Sequence, residues 1–388
     1  MDLRMWEPIL AIPCIYVFFI ALIKNLSQKN NMKILLITVR SDFGGGPRHV
    51  DQLIDQIPPN IEIFAAYPTQ GEPYGKKWDS NNRIKKIFSL PYRRFSLRTL
   101  LKLRKFISEN NIDIIHSHGN GAGVYSRLLK FLGTKAKVVH TFHGITNHYT
   151  NIQKDIVNTF LGRFFKRFTD SFICVSNGEF ALAKQKKFIV DKKTRVIYNG
   201  IEDFFGKKIK TSIFNVVTLS RFDYQKNMDK ALEIARKLKN EPIQFTWVGD
   251  GPDFSRLKSI AEQEKLNINF IGFSKEPIKY MQSASIYLST ARFEGLPYAL
   301  IEAASVGLPI VATNVVGNNE TLENRKTGFL FNTIEEAIEY ILQLKNNPTL
   351  YQKMSTQSRN FFENQFTLKK MINKLVEVYV INCQKSNS

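Results

Sequence analysis

Short apolar, β-rich runs ending in Gly or Ser recur along this chain with helix-like segments between them, and the series stops and then begins again. The first series holds "KILLITV" (33–39), "IDIIHSHG" (112–119), "KVVHTFHG" (137–144) and "DSFICVS" (170–176). The second holds "FNVVTLS" (214–220), "IQFTWVGDG" (243–251), "NINFIGF" (267–273), "ASIYLST" (284–290) and "LPIVAT" (308–313), with helices near 228–240 and 253–265. Buried strands alternating with helices indicate a parallel sheet covered by helices on both faces. Between the two series, "VIYNGIEDFF" (196–205) carries an Asn-Gly turn signal and runs into polar "GKKIKTS", which places a domain junction there. Residues 346–382 are predicted to form helices without a strand. A chain of 388 residues exceeds the usual limit for one hydrophobic core, so two α/β domains are expected. Two doubly wound domains that face one another leave a cleft between the carboxyl ends of their sheets, where such sheets bind ligands.

Charge narrows the partners. The net charge is +21, and residues 33–205 hold 28 Lys/Arg against 14 Asp/Glu, whereas residues 206–388 hold 24 against 18. A basic N-terminal half suggests an anionic partner: nucleic acid, a phosphorylated substrate or an acidic membrane surface. Three cysteines without pairing or metal spacing favour a reducing compartment. Residues 1–31 contain 16 uncharged, mostly apolar residues from Pro8 to Ile23, short for a bilayer span and interrupted by prolines. They are either an N-terminal membrane anchor or the product of an upstream start, since "MKILLITV" from Met32 opens a domain unaided.

Candidate chemistry sits where strands end. Gly44-Gly45-Gly46 follows the first strand and opens a helix, so backbone amides there make either an anion site or only a tight turn. "SRFDYQKNMD" (220–229) puts Arg221 and Lys226 in a loop after the first strand of the second domain. A guanidinium and an ammonium suit a diphosphate; the plainer alternative is a solvated loop. "GDGP" (249–252) is by itself a turn. In "FEGLPYALIEAASVGLP" (293–309), Glu294 precedes a helix expected to take Pro297 in its first turn, and Glu302 lies inside that helix among apolar residues. A carboxylate in such surroundings needs a partner. Two neighbouring sugar hydroxyls would serve, and so would a nearby Lys or backbone amides.

"EGLPYALIEAASVGLPIVAT", with "SRFDYQKN" and "GDGP" in this order and spacing, resembles the group 1 family of retaining glycosyltransferases. "FGGGPRHV", "DIIHSHG", "VHTFHG" and "VIYNGIE" resemble the family's N-terminal-domain segments, so the likeness covers residues 32–380. It implies the GT-B fold: two Rossmann-like domains, 32–203 on the acceptor side and 204–365 binding the nucleotide sugar, with a helix in 366–388 packing back toward the first. It also implies roles by position. Arg221 and Lys226 would hold the donor diphosphate, with Asn227 beside them, and Glu302 would accept from the ribose hydroxyls. Glu294, with the amides of Gly295 and Leu296, would contact the transferred sugar. Gly45, Gly46 and His143 would approach from the opposite wall. "ASVG" before Gly307 is harmless in kind, whereas "GGGP" leaves open which amide contacts the donor.

The expected reaction transfers a hexose or N-acetylhexosamine, with retention, from a nucleotide-diphosphate donor, UDP before GDP. The acceptor would be a lipid-linked or membrane-associated glycan in bacterial surface polysaccharide assembly, on the cytoplasmic face of the inner membrane. No cofactor is expected besides the nucleotide-sugar co-substrate. No metal is expected either: His116 and His118 share a strand face, but no cysteine is near and the chain has no His-Glu-x-x-His or Asp-x-Asp. Arg83–Lys105, with nine Lys/Arg and no acid, suits an anionic inner-leaflet surface, while "FLGRFFKRF" (160–168) fits a core-packed helix better. A nucleotide-sugar epimerase of the same fold is the first rival. A nucleic-acid binder is the second, weakened by the lack of any recognised motif or stacking platform.

Overall fold

The computed structural model describes residues 32–69, 71–145, 152–206 and 213–384. The expectations for residues 1–31 lie outside these. The first sheet has seven parallel strands in the order β3-β2-β1-β4-β5-β6-β7: β1 (Met32–Thr38), β2 (Ile61–Tyr67), β3 (Ile84–Ser89), β4 (Ile114–His118), β5 (Lys137–Thr141), β6 (Ser171–Cys174) and β7 (Thr194–Val196). The second has six, also parallel, in the order β10-β9-β8-β11-β12-β13: β8 (Phe214–Leu219), β9 (Ile243–Val248), β10 (Ile268–Gly272), β11 (Ile286–Ser289), β12 (Ile310–Thr313) and β13 (Gly328–Phe331). Both orders reverse beside the strand that opens each half, at β1/β4 and at β8/β11. Those reversals are the crevices where doubly wound sheets bind ligands.

The central strands are buried on both faces, as in "ILLI" of β1 and "IVAT" of β12, which is why they lack polar alternation. Helices cover both faces of each sheet. The last helix, Leu368–Gln384, leaves the second domain and returns to the first. Leu368, Met371, Leu375 and Tyr379 share a core with Ile34, Leu36, Ile114 and Ile173. The crossing is tied by Ile201 N to Phe366 O at 2.9 Å and Leu368 N to Ile201 O at 2.8 Å. Gly200 is required at this point, because a Cβ there would stand 2.6 Å from Thr367 O.

One local expectation is corrected. Pro297 is not in the first turn of its helix: it is the extended residue before the Tyr298–Ser305 helix. The basic segment Arg83–Lys105 spans more than one element. It is the edge strand β3, a loop, and the outer face of the Leu97–Glu109 helix, whose Leu100, Leu103 and Ile107 point into the core. In "FLGRFFKRF", Phe165 is buried and Phe164 packs on Phe165 and Phe168, as expected of a core-packed helix, although Phe160 is exposed.

Candidate active site

The two reversals face one another, and the loops leaving their strands meet. From the second sheet, the β8 loop carries Arg221 and Lys226 and the β11 loop carries Glu294. The Lys226 ammonium contacts a Glu294 carboxylate oxygen, and Gln225 Nε2 donates to Glu294 Oε2 at 3.3 Å. Side-chain exposures of 22% and 8% make this a largely desolvated ion pair, a costly arrangement unless well matched. Arg221 is more open, 56% exposed, with Nη2 3.0 Å from Asp223 and 3.3 Å from Gln225 Oε1. Thr290 Oγ1 donates to the carbonyls of Lys226 and Asn227 at 3.1 and 3.0 Å, locking the two loops together. Asn227 has a left-handed φ of 53° where the next helix starts. "GDGP" supports this loop from beneath: Gly249 has a φ of +131°, and a Cβ there would lie 1.9 Å from Ser220 O.

Glu302 answers the question of its partner differently from Glu294. It is buried on the Tyr298–Ser305 helix, and Arg48 Nη1 of the other domain reaches its Oε1 at 2.5 Å. Arg48 belongs to the Gly45–Gln56 helix, and its guanidinium lies 4.6 Å above the Tyr298 ring. Each glutamate therefore has a cationic partner within the protein, the plainer of the two alternatives. Sequence reading missed Arg48 because the contact joins residues 254 positions apart.

The N-terminal wall closes the cleft at short range. A Cβ on Gly45 would touch the Tyr298 ring at 3.5 Å, one on Gly46 the His143 ring at 3.7 Å, and one on Gly295 the Gly144 Cα at 3.3 Å. Leu296 is buried, and its carbonyl accepts from Asn199 Nδ2 at 3.0 Å. His143 sits at a left-handed φ of 74°, held by a residue the sequence analysis did not single out. Buried Glu179 accepts from Gly144 N at 2.5 Å, Ile145 N at 3.1 Å and Val175 N at 2.8 Å, bracing the His143 loop against β6. Burial raises the Glu179 carboxyl above its ordinary range, partly offset by those three amides. Its signal was the S-x-x-E pattern in "SNGE", which marks a helix start. Ser176 does accept from Glu179 N at 3.0 Å, but the carboxylate turns to the neighbouring loop. A second cross-domain carboxylate, Glu320, accepts from Asn177 N and Gly178 N, both at 2.6 Å, at the N-terminus of the Asn177–Gln185 helix. An anion at a helix N-terminus is favourably placed.

Behind His143, the histidines cluster. His118 Nδ1 is 3.1 Å from His143 Nε2, and the His49 ring lies 4.8 Å from that of His143. Burial is the main cause holding all three imidazoles below their ordinary range, His49 down to about 4. The pair expected from the strand pattern is only half of this: His116 is next to His118, at 4.1 Å between rings, but both its nitrogens are taken by Tyr379 and Thr141 at 2.6 and 2.8 Å.

Two family models match the chain: "Glycosyltransferase Family 4" over residues 43–203 and "Glycosyl transferases group 1" over residues 201–361. An uncharacterized glycosyltransferase of Haemophilus influenzae is 30% identical over 278 residues, covering 68% of this chain and 75% of that one. The UDP-Gal:alpha-D-GlcNAc-diphosphoundecaprenol alpha-1,3-galactosyltransferase of Escherichia coli is 26% identical over 309 residues, 73% of this chain and 79% of that one. Among solved structures, Anabaena Alr3699/HepE in complex with UDP and glucose superposes with a TM-score of 0.76 at 17% identity, covering 89% of this chain and 98% of that one. This last likeness concerns the fold, which is GT-B.

Proposed function

The chain belongs to the group 1 glycosyltransferases, and from that premise we propose that it transfers a hexose or N-acetylhexosamine, with retention, from a UDP-sugar to a lipid-linked glycan of a bacterial surface polysaccharide. The observation that carries the reading is that the loops and helix bearing Lys226, Glu294 and Glu302 meet those bearing Gly46 and His143: Arg48 reaches Glu302, Gly295 lies against Gly144 and Gly45 against Tyr298. The E. coli relative named for a diphosphoundecaprenol-linked acceptor and the cyanobacterial fold neighbour solved with UDP and glucose support the choice of acceptor and nucleotide.

In this reading the donor diphosphate lies against Arg221 and Lys226, which stabilise the charge that grows on the leaving phosphate. Asn227 closes that loop. The ribose hydroxyls bind Glu302, exchanging with Arg48. Lys226 shifts from Glu294 to the diphosphate, freeing the Glu294 carboxylate for the sugar hydroxyls beside the amides of Gly295 and Leu296. Gly46 lets the opposite wall approach, and His143 reaches the sugar. The acceptor hydroxyl attacks on the face the phosphate leaves and delivers its proton to that phosphate, so no protein nucleophile is required. The two cations supply the charge a divalent ion would otherwise bring. Turnover is therefore expected to persist in excess EDTA; abolition restored only by a divalent cation would sink the metal-free reaction.

The acceptor side suits an anionic lipid surface. Arg93, Arg94, Arg98 and Lys102 are exposed together with Tyr92, Phe95, Leu97 and Leu101, so cations surround apolar side chains on one outer face. Among the described residues no helix is long and apolar enough to cross a membrane. A chain beginning at Met32 is expected to bind vesicles containing phosphatidylglycerol and to be released by high salt, because surface charges are screened. Arg93, Arg94 and Arg98 changed together to Glu should lose that binding while the fold persists. Binding that survives both treatments would rule this face out.

The functional test is UDP release from UDP-hexose and UDP-N-acetylhexosamine, with and without membranes. Release that depends on membranes supports transfer. Cleavage or epimerisation of the donor without them would favour the epimerase.

A further inference from the structure

The geometry points to a site for one divalent transition cation of the zinc class, held by His49, His118 and His143 at the floor of the cleft. The three come from separate elements that the first sheet brings together. His49 lies one turn into the Gly45–Gln56 helix, His118 ends β4, and His143 follows β5. One ring nitrogen from each lies within 4.8 Å of the others. A tetrahedral ion with metal–nitrogen bonds of about 2.0–2.1 Å needs its ligand atoms roughly 3.3 Å apart. His118 and His143 already stand at 3.1 Å, so closing the site asks only for a shift of about 1.5 Å or less at the widest pair, a distance that imidazole rotation covers.

The hydrogen bonds around the cluster fix which nitrogen is available. Asn199 Nδ2 donates to Leu296 O at 3.0 Å, so its Oδ1 faces His49 and accepts from His49 Nδ1 at 3.2 Å. The proton of the neutral ring is then on Nδ1, and Nε2 carries a bare lone pair. That Nε2 is buried and has no hydrogen-bond partner among the described residues, while His118 and His143 offer the Nδ1 and Nε2 that now bond to each other. An unpartnered buried polar atom costs free energy unless something satisfies it. A ring whose second nitrogen is oriented by an amide oxygen is the arrangement that metal-binding histidines show. Neutral imidazoles are borderline donors, which favours Zn²⁺, Co²⁺ or Ni²⁺ over Mg²⁺ or Ca²⁺. His49 and His118 are fully enclosed while His143 is only half-buried, so the ion would enter from the His143 side.

The site has a consequence for transfer, and this part rests on the proposed function. His143 is the group placed against the donor sugar. An ion that takes its ring withdraws it from the sugar, so cation and donor compete, and the cation inhibits.

The test is titration of the full chain, cleared of metal by a chelator, with Co²⁺ followed by its visible absorption and with Zn²⁺ followed by metal analysis. One ion per chain is expected, Mg²⁺ should not bind, and His49→Gln and His143→Gln should each weaken binding at least about tenfold. His143 is half-buried, so its variant keeps the test sound even where His49→Gln fails to fold. Asn199→Ala should also weaken binding, through the orientation of His49. Failure to bind, or binding unchanged in His143→Gln, overturns the site. Donor turnover is read in the same samples: Zn²⁺ should slow it and EDTA restore it. Binding without inhibition would leave the site standing and overturn the role of His143 at the sugar.

Discussion

Lys226→Ala is expected to lower donor turnover about tenfold to a hundredfold, because a charge-assisted hydrogen bond to the leaving diphosphate contributes ~1.5–3 kcal/mol. The structure adds a second effect. Lys226 is the cationic partner of Glu294, whose side chain is 8% exposed, so the variant leaves a buried carboxylate with Gln225 alone at 3.3 Å. Breaking one side of a buried pair costs more than removing both. The variant should therefore also lose stability, and Lys226→Ala combined with Glu294→Gln should recover stability without recovering turnover. Arg221→Ala should reduce turnover in the same direction with little effect on stability, since Arg221 is 56% exposed and its partners lie in its own loop. Steady-state kinetics with a UDP-sugar, together with urea unfolding, read both effects. Wild-type kinetics in either single variant would remove the diphosphate assignment.

Glu302→Gln is expected to weaken binding of free UDP at least about tenfold, since a carboxylate accepting from a hydroxyl pair makes charge-assisted bonds that an amide cannot. Arg48 gives this prediction its sharpest control. Its guanidinium occupies Glu302 Oε1 at 2.5 Å, and a ribose diol that takes both carboxylate oxygens must displace it. A competing internal partner reduces apparent affinity, so its removal should raise it. Arg48→Ala should bind UDP several-fold more tightly, the opposite sign from Glu302→Gln. Glu294→Gln should leave free UDP binding near wild type and slow transfer instead. Calorimetric titration of UDP into the three variants decides. A weaker Arg48→Ala would mean that the arginine assists the nucleotide, and equal losses in both glutamine variants would contradict separate roles.

Most of the architecture was legible because central parallel strands are apolar on both faces. "KILLITV", "FNVVTLS" and "LPIVAT" lie on β1, β8 and β12, and Arg221, Lys226 and Glu294 were correctly placed in loops at strand ends. Strands β2, β3, β7 and β13 were not identified. β3 is an edge strand whose exposed Lys85, Lys86 and Ile87 break the buried pattern, and β7 is only three residues long. What sequence could not convey is pairing between elements distant in the chain. "GGGPRHV" suggested an anion loop, yet its arginine meets Glu302 and its histidine joins His118 and His143. Glu179, which was not singled out, serves the loop that follows a neighbouring strand. Such contacts depend on how separate elements of one sheet, or the two sheets, are brought together, which no local period encodes.

The proposed reaction is transfer of one sugar from a nucleotide donor to a membrane-bound glycan. Mass spectrometry of the lipid extract after incubating the chain with membranes and UDP-sugars tests it most directly. The expected product is a lipid-linked glycan heavier by one hexose or N-acetylhexosamine, formed with release of UDP and carrying the anomeric configuration of the donor. A donor consumed with no lipid product, yielding only an epimer or free sugar, would contradict it.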